Sequence, residues 1–245
     1  MDAKHQIICG DCLEVIPNLP KATTIFADPP DNIGAKYKGY KDNLSQREYY
    51  NLLSSIFLRT YGKYNHLWLS FNRAYLPMIV ECSRKCSNYK RRIFIWHYTF
   101  GQHRSTDCGN GYRPILRVMR PGAKLYPDAI RVSSARQLKY NDKRANPVGK
   151  VPDDVWEFPR VCGTFKERKK WHPCQHPKEL LRRLVLFTTK PGDLVIDMFA
   201  GSGNMLEVCK ELDRSCIGIE ISKFYCQKIA EETKAELLYV AQVKK

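Results

Sequence analysis

The chain has 245 residues, 43% of them hydrophobic, enough for one α/β core with an inserted smaller lobe and too apolar for wholesale disorder. Its 41 basic residues outweigh 25 acidic ones, giving a formal charge of +16 and pointing to a polyanionic partner. No apolar run approaches the length of a membrane span, and the first residues lack a signal peptide's charged and apolar regions. Ten cysteines without such a signal point to free thiols in a reducing cytoplasm.

In chain order, Gln6–Cys9 and Thr23–Ala27 have strand character, with Gly10-Asp11-Cys12 and a helical turn between them. Asp11 follows a strand, where an acid either lines a site or caps a helix. Cys9 and Cys12 have the spacing of half a zinc or redox site, but no matching second pair follows, so neither use is expected. Asp28-Pro29-Pro30-Asp31 then falls at the carboxyl end of the second strand, the edge where open α/β sheets bind ligands. Two prolines hold the backbone extended and offer no N–H, so acceptors remain: the Asp28 carboxylate and the nearby carbonyls. A plain turn after a strand is the other reading.

Residues 44–61 read as a helix with Ser45 and Glu48 as a capping box. Leu67–Asn72 and Ile93–His97 read as strands, with a helix over 76–86 between them, and this alternation predicts a parallel sheet. His97 reads as a residue at a strand end rather than a catalyst. Residues 99–170 break the pattern, with turn signals at Gly109-Asn110-Gly111 and Arg120-Pro121-Gly122. Basic residues crowd into 84–92, 113–150 and 160–170, interleaved with Tyr89, Tyr112, Tyr126, Tyr140 and Trp171. This composition predicts an irregular lobe inserted at the ligand edge, with a nucleic-acid-binding face.

Past Lys178 an amphipathic helix leads to Pro191-Gly192 and a strand, Leu194–Ile196, ending at Asp197. Gly201-Ser202-Gly203 allows a tight turn and a close backbone approach to a ligand. A helix over 204–212 and a strand over 215–219 follow, ending in Glu220, 23 residues after Asp197. This is a nucleotide-binding βαβ pattern, with Glu220 placed for ribose hydroxyls. The three spaced glycines of a pyrophosphate cradle are missing, and an acid stands at the strand end instead. That chemistry suits S-adenosylmethionine, which carries an amino acid tail, a sulfonium and a ribose but no phosphate. A last helix over 221–236 and an edge strand over 236–241 complete the reading.

Asp28-Pro29-Pro30 early and Phe199-Ala200-Gly201-Ser202-Gly203 late resemble the motif order of the beta class of DNA amino-methyltransferases, whose catalytic motif precedes the cofactor motif. Val151–Trp156 resembles the segment leaving that family's recognition region, and His172-Pro173-Cys174-Gln175-His176-Pro177 the motif opening its cofactor half. The resemblance implies a Rossmann-like α/β methyltransferase sheet with permuted motifs. Its parts would be a catalytic half over 1–98, target recognition over 99–170 and a cofactor half over 171–245. It implies S-adenosylmethionine held by Asp11, Cys12, Asp28, His172, Gln175, Pro177, Asp197, Phe199, Ala200, Gly201, Ser202, Gly203, Glu220 and Ile221. Catalysis would fall to Asp28, Pro29, Pro30 and Asp31. His172, Cys174 and His176 have a spacing that zinc could use; the family match accounts for them better, and no metal is expected.

The implied activity is methylation of adenine N6 in double-stranded DNA with the base flipped out. The family's catalytic motif begins with Asp more often in adenine enzymes and tends towards Ser in cytosine-N4 ones. A cytosine-N4 enzyme, an RNA methyltransferase and an impaired nucleic-acid-binding relative stay open as alternatives. A homodimer and a paired restriction endonuclease are compatible with the resemblance but not read from the residues. One departure stands out: the fourth catalytic-motif position, aromatic in the family, is Asp31. Tyr37 and Tyr40 are the nearby rings that could replace it.

Overall fold

The computed structural model of the chain describes residues 4–102 and 104–240. Period-two burial sorts the strands' side chains to opposite faces of one sheet. In β1 (His5–Cys9) Ile8 enters one core and Ile7 the other. A short helix, α1 (Cys12–Val15), leads to β2 (Ala22–Ala27), where Ile25 and Phe26 divide in the same way. The two-residue strands β3 (Lys36–Tyr37) and β4 (Tyr40–Lys41) form a separate hairpin. Helix α2 (Gln46–Thr60) starts at the expected capping box, with the Glu48 N–H donating to Ser45 Oγ at 3.3 Å and the Ser45 N–H to Glu48 Oε2 at 2.8 Å. It packs with α1 and α3 (Leu76–Ser83) on the Ile8 face.

Strand β5 (Tyr64–Ser70) is followed by β6 (Lys90–Gln102) and β7 (Asn110–Met119). After a short helix, α4 (Ala135–Leu138), comes β8 (Val155–Phe158). The closing run is α5 (Lys178–Thr188), β9 (Leu194–Asp197), α6 (Asn204–Glu211), β10 (Ser215–Glu220), α7 (Lys223–Thr233) and β11 (Glu236–Tyr239). Apolar faces of α5, α6 and α7 cover the Ile7 side together with Trp68, Phe94 and Trp156. Ala241, at the end of the expected edge strand, lies outside the described residues. Among the described residues no helix is long and apolar enough to cross a membrane, and all ten cysteines are free.

The nine strands run in the order β11-β1-β10-β9-β2-β5-β7-β6-β8. The chain builds outward to one side after β2 and to the other after β9, so the junction of β2 and β9 is the switch point where an open sheet forms its crevice. The expected parallel sheet is corrected to a mixed one by β7, which pairs antiparallel with both β5 and β6. The expected irregular segment is also corrected: residues up to 102, then 110–119 and 155–158, belong to the central sheet, and His97 lies within β6 rather than at its end. Pro114 made β7 hard to foresee, since proline is normally excluded from inner strands. Its carbonyl accepts from the Phe71 N–H, just past the end of β5, and a strand residue's N and C=O point to the same side. The missing N–H therefore faces a place where the β5 ladder has already stopped.

The part of 99–170 outside the sheet is locally ordered. Val132 bridges to Lys150, and Arg131 Nη1 donates to the Gly149 carbonyl at 2.8 Å. Gly149 has φ +85°, and a Cβ there would meet the Val132 carbonyl oxygen at 2.4 Å, so the crossing needs glycine.

Candidate active site

Parallel register brings the ends of four strands, β1, β10, β9 and β2, to one edge. Gly218 of β10 and Phe26 of β2 both lie opposite Asp197 of β9, while Glu220 lies opposite Cys9 of β1. After Asp197 the backbone stays tied to both neighbours: the Met198 N–H donates to the Phe26 carbonyl and the Ala200 N–H to the Ile219 carbonyl. Gly201 (φ +50°) and Gly203 (φ +76°) then make the turn, and a Cβ on Gly201 would come within 3.2 Å of the His172 ring. Glu220 grips this turn, its Oε2 accepting from the Gly201 N–H at 3.0 Å and its Oε1 from the Ser222 N–H at 2.8 Å. Each oxygen keeps a second lone pair.

One cavity is lined by Asp11, Cys12, Asp28, Pro30, His172, Asp197, Phe199, Ala200, Gly201, Ser202, Glu220 and Ile221 of the expected residues. Tyr37, Tyr40, Cys174, His176, Asn204 and Tyr225 join them. Asp11 fulfils both of its readings, since it lines the cavity and caps α1 by accepting from the Leu13 N–H at 2.8 Å. Five expected residues are not among the lining. Gly203 and Pro177 begin α6 and α5. Gln175 pins its own loop by accepting from the Lys169 N–H and donating to the Glu167 carbonyl. Pro29 is buried, and Asp31 turns to another partner. Among the described residues no group of three or more His, Cys, Asp or Glu side chains is arranged to hold a metal ion.

The segment before α5 is fastened over the cavity by charge. Lys169 Nζ donates to the Ser202 carbonyl at 2.7 Å and pairs with Glu207 at 2.5 Å and Glu232 at 3.0 Å. Trp171 Nε1 donates to Glu232 at 2.8 Å. On the opposite wall, Asp42 organises the loop after Asp31 by accepting from the N–H groups of Asn32, Ile33 and Ala35.

Two buried polar groups mark what the cavity lacks. Asp197 is 3% exposed and, among the described residues, accepts only from the Phe199 N–H, at 3.2 Å, with no ion pair to a cation. Burial pushes its carboxyl up to about 8, with smaller contributions from Asp28 and Glu220. Asn204 donates from Nδ2 to the His176 carbonyl, while its buried Oδ1 has no partner among the described residues. A ligand that brings a cation and donors would satisfy both. The amino group, sulfonium and ribose hydroxyls of S-adenosylmethionine are such a set, and the residues present fit that molecule.

Beside this cavity lies an arrangement that the sequence reading missed. Arg113 Nη2 donates to Asp28 Oδ1 at 2.8 Å, and Nη1 and Nη2 donate to the two oxygens of Asp31 at 2.7 and 2.9 Å. Its Nε donates to Ser70 Oγ at 2.7 Å. Ser70 Oγ is also 2.9 Å from His176 Nε2, and His176 Nδ1 is 3.2 Å from Asp28 Oδ2. Burial pushes the Asp28 carboxyl up, but the His176 and Arg113 donors outweigh it and hold the carboxyl below its ordinary value. Burial lowers the His176 imidazole. His176 had a sequence signal, lying inside the motif that opens the cofactor half. Arg113 had none, because it sat among many basic residues in a segment without periodicity.

An α/β sheet with this edge and cavity is that of a Rossmann-like methyltransferase. Residues 22–232 match the family described as DNA methylase, and the chain belongs to that family. DNA adenine methyltransferase YhdJ of Escherichia coli (strain K12) is 34% identical over 261 residues, 98% of this chain and 87% of the relative. Type II methyltransferase M.HpaI of Haemophilus parainfluenzae is 30% identical over 241 residues, 95% of this chain and 75% of the relative. Among solved structures, M1.HpyAVI in its SAM complex matches with a TM-score of 0.65 at 22% identity, covering 92% of this chain and 97% of that one. That last likeness is one of fold.

Proposed function

We propose that this protein transfers a methyl group from S-adenosylmethionine to the exocyclic N6 of adenine in DNA. The observation that carries the reading is one continuous cavity. It joins the uncompensated acid Asp197 and the glycine turn to the Asp28 carboxylate at the same sheet edge. The names of the two relatives, a DNA adenine methyltransferase and a type II methyltransferase, support the substrate.

When bound, S-adenosylmethionine supplies an electrophilic methyl group activated by its own positive charge. Asp197 balances the ligand's cationic end, Asn204 Oδ1 accepts one of its donors, and the lone pairs that Glu220 keeps accept from the ribose hydroxyls. An adenine amine is a poor nucleophile because its lone pair is delocalised into the ring. The Asp28 carboxylate, with a neighbouring backbone carbonyl, accepts the two amine N–H groups and favours a tetrahedral nitrogen whose lone pair is free to react. These hydrogen bonds strengthen as positive charge develops on the nitrogen, so their effect is greatest in the transition state.

A base inside a duplex cannot reach this edge, so the target base is flipped out. Target recognition falls to the part of 99–170 outside the sheet, where Leu138 and Tyr140 are exposed among basic residues. The test is incubation with labelled S-adenosylmethionine and unmethylated genomic DNA, followed by nucleoside mass analysis. N6-methyladenine is the expected product. N4-methylcytosine would move the same chemistry to the other base. Cofactor binding without any product would overturn the reading.

A further inference from the structure

Asp28, Arg113, Ser70 and His176 form a closed ring of polar contacts. Ser70 Oγ accepts from Arg113 Nε at 2.7 Å and lies 2.9 Å from His176 Nε2, so the arrangement with the imidazole neutral has the Ser70 hydroxyl donating to Nε2. With Nε2 accepting, the neutral imidazole carries its proton on Nδ1 and donates it to Asp28 Oδ2. Arg113 Nη2 closes the ring on Asp28 Oδ1 at 2.8 Å. Both carboxylate oxygens are thereby fixed, and each retains a lone pair for an incoming amine.

Asp31 stands outside the ring and holds its cation. It takes Nη1 and Nη2 of Arg113 fork to fork, so four of the five guanidinium N–H groups have protein acceptors. The second carboxylate also matters for charge. Arg113 alone would neutralise Asp28; shared between two acids, it leaves the cluster one negative charge for the amine.

We propose that Arg113 is a positioning residue for methyl transfer, fixing the Asp28 carboxylate towards the amine, and that Asp31 serves by clamping the Arg113 guanidinium. The inference rests on the proposed function and gives the departure at position 31 a task of its own.

The test measures kcat, KM for DNA and cofactor affinity across pH for Arg113→Gln, Arg113→Lys and Asp31→Tyr. Arg113→Gln is expected to lower kcat about 100-fold, the scale of a misplaced catalytic group, with cofactor affinity unchanged within a factor of two or so. Arg113→Lys keeps the charge without the fork and recovers part of that loss. The charged and titratable groups facing Asp28 among the described residues are Arg113, Asp31, His172, Cys174, His176, Tyr37, Tyr49, Tyr98 and Asp197. Removing Arg113 lets burial raise the Asp28 carboxyl, so the acid limb of kcat moves to higher pH. Asp31→Tyr, which frees the clamp, is expected to lower turnover. An unmoved acid limb with kcat within about threefold for Arg113→Gln, or a gain for Asp31→Tyr, overturns the proposal. If the wild-type protein methylates no DNA, the function reading fails separately. The Asp28 titration by carbon-13 NMR then tests the coupling by itself: an upward move in Arg113→Gln supports it, and no move overturns it.

Discussion

Asp28 follows directly on β2 and Asp197 ends the adjacent strand β9 at one sheet edge, and among the described residues only Asp28 has a cation against it. Register sets the pair, since Asp197 lies opposite Phe26, two residues before Asp28. Arg113 holds Asp28 at 2.8 Å, while Asp197 is buried with one backbone donor.

The isolated acid gives a pH prediction. In the ligand-free protein the Asp197 carboxyl, pushed up to about 8 by burial, stays protonated where the unfolded chain's is ionised. The folded state therefore binds the extra proton between about pH 4 and 8, and stability falls as pH rises through that window. Thermal melts of wild type and Asp197→Asn from pH 5 to 8.5 should show a shallower decline in the variant. Stabilisation by added S-adenosylmethionine should grow towards pH 8 in the wild type and stay flat in the variant. Identical slopes for the two proteins would contradict this account of Asp197.

Asp28→Asn replaces one carboxylate acceptor by a donor at the amine. A loss of about 100- to 1000-fold in kcat is expected, the range for removing one preorganised electrostatic interaction. Cofactor affinity, measured by calorimetry, should hardly change. A kcat within tenfold of wild type would remove Asp28 from the centre of the chemistry.

Helix α2 supplies a stability prediction remote from the site. Ser45 and Glu48 satisfy two backbone donors reciprocally at its start. Ser45→Ala should lower unfolding free energy by about 1 kcal/mol, the usual scale for losing such a cap. In urea denaturation this would appear as a lower midpoint with an unchanged slope.

The basic lobe should act through phosphates. Arg136, Lys139 and Lys143 are exposed on the segment closed by the Val132–Lys150 bridge. Changing each to Glu is expected to weaken binding to specific and non-specific DNA alike, and to reduce the log–log salt slope by about 0.9 for each phosphate that is no longer neutralised. Filter binding across salt concentrations measures this. A loss confined to one recognition sequence would mean that these residues read bases instead.

By itself, the sequence determined whatever is written in local pattern. The capping box of α2, the glycine turn between Asp197 and Glu220, and the prolines after Asp28 each depend on residues a few positions apart. The order of the motifs was also legible, because it needs no knowledge of pairing. Only the tertiary structure decided that β7 runs against its neighbours. That reversal carries Arg113, two residues before the Ile115 that pairs with Ser70, to the edge where the parallel strands end, 85 positions from Asp28. Strand direction is set by which long-range ladder satisfies the backbone, and no local periodicity reports it. The same holds for charge: a sequence shows that Asp28, Asp31 and Asp197 are acids, while burial and the reach of one guanidinium decide which of them is compensated.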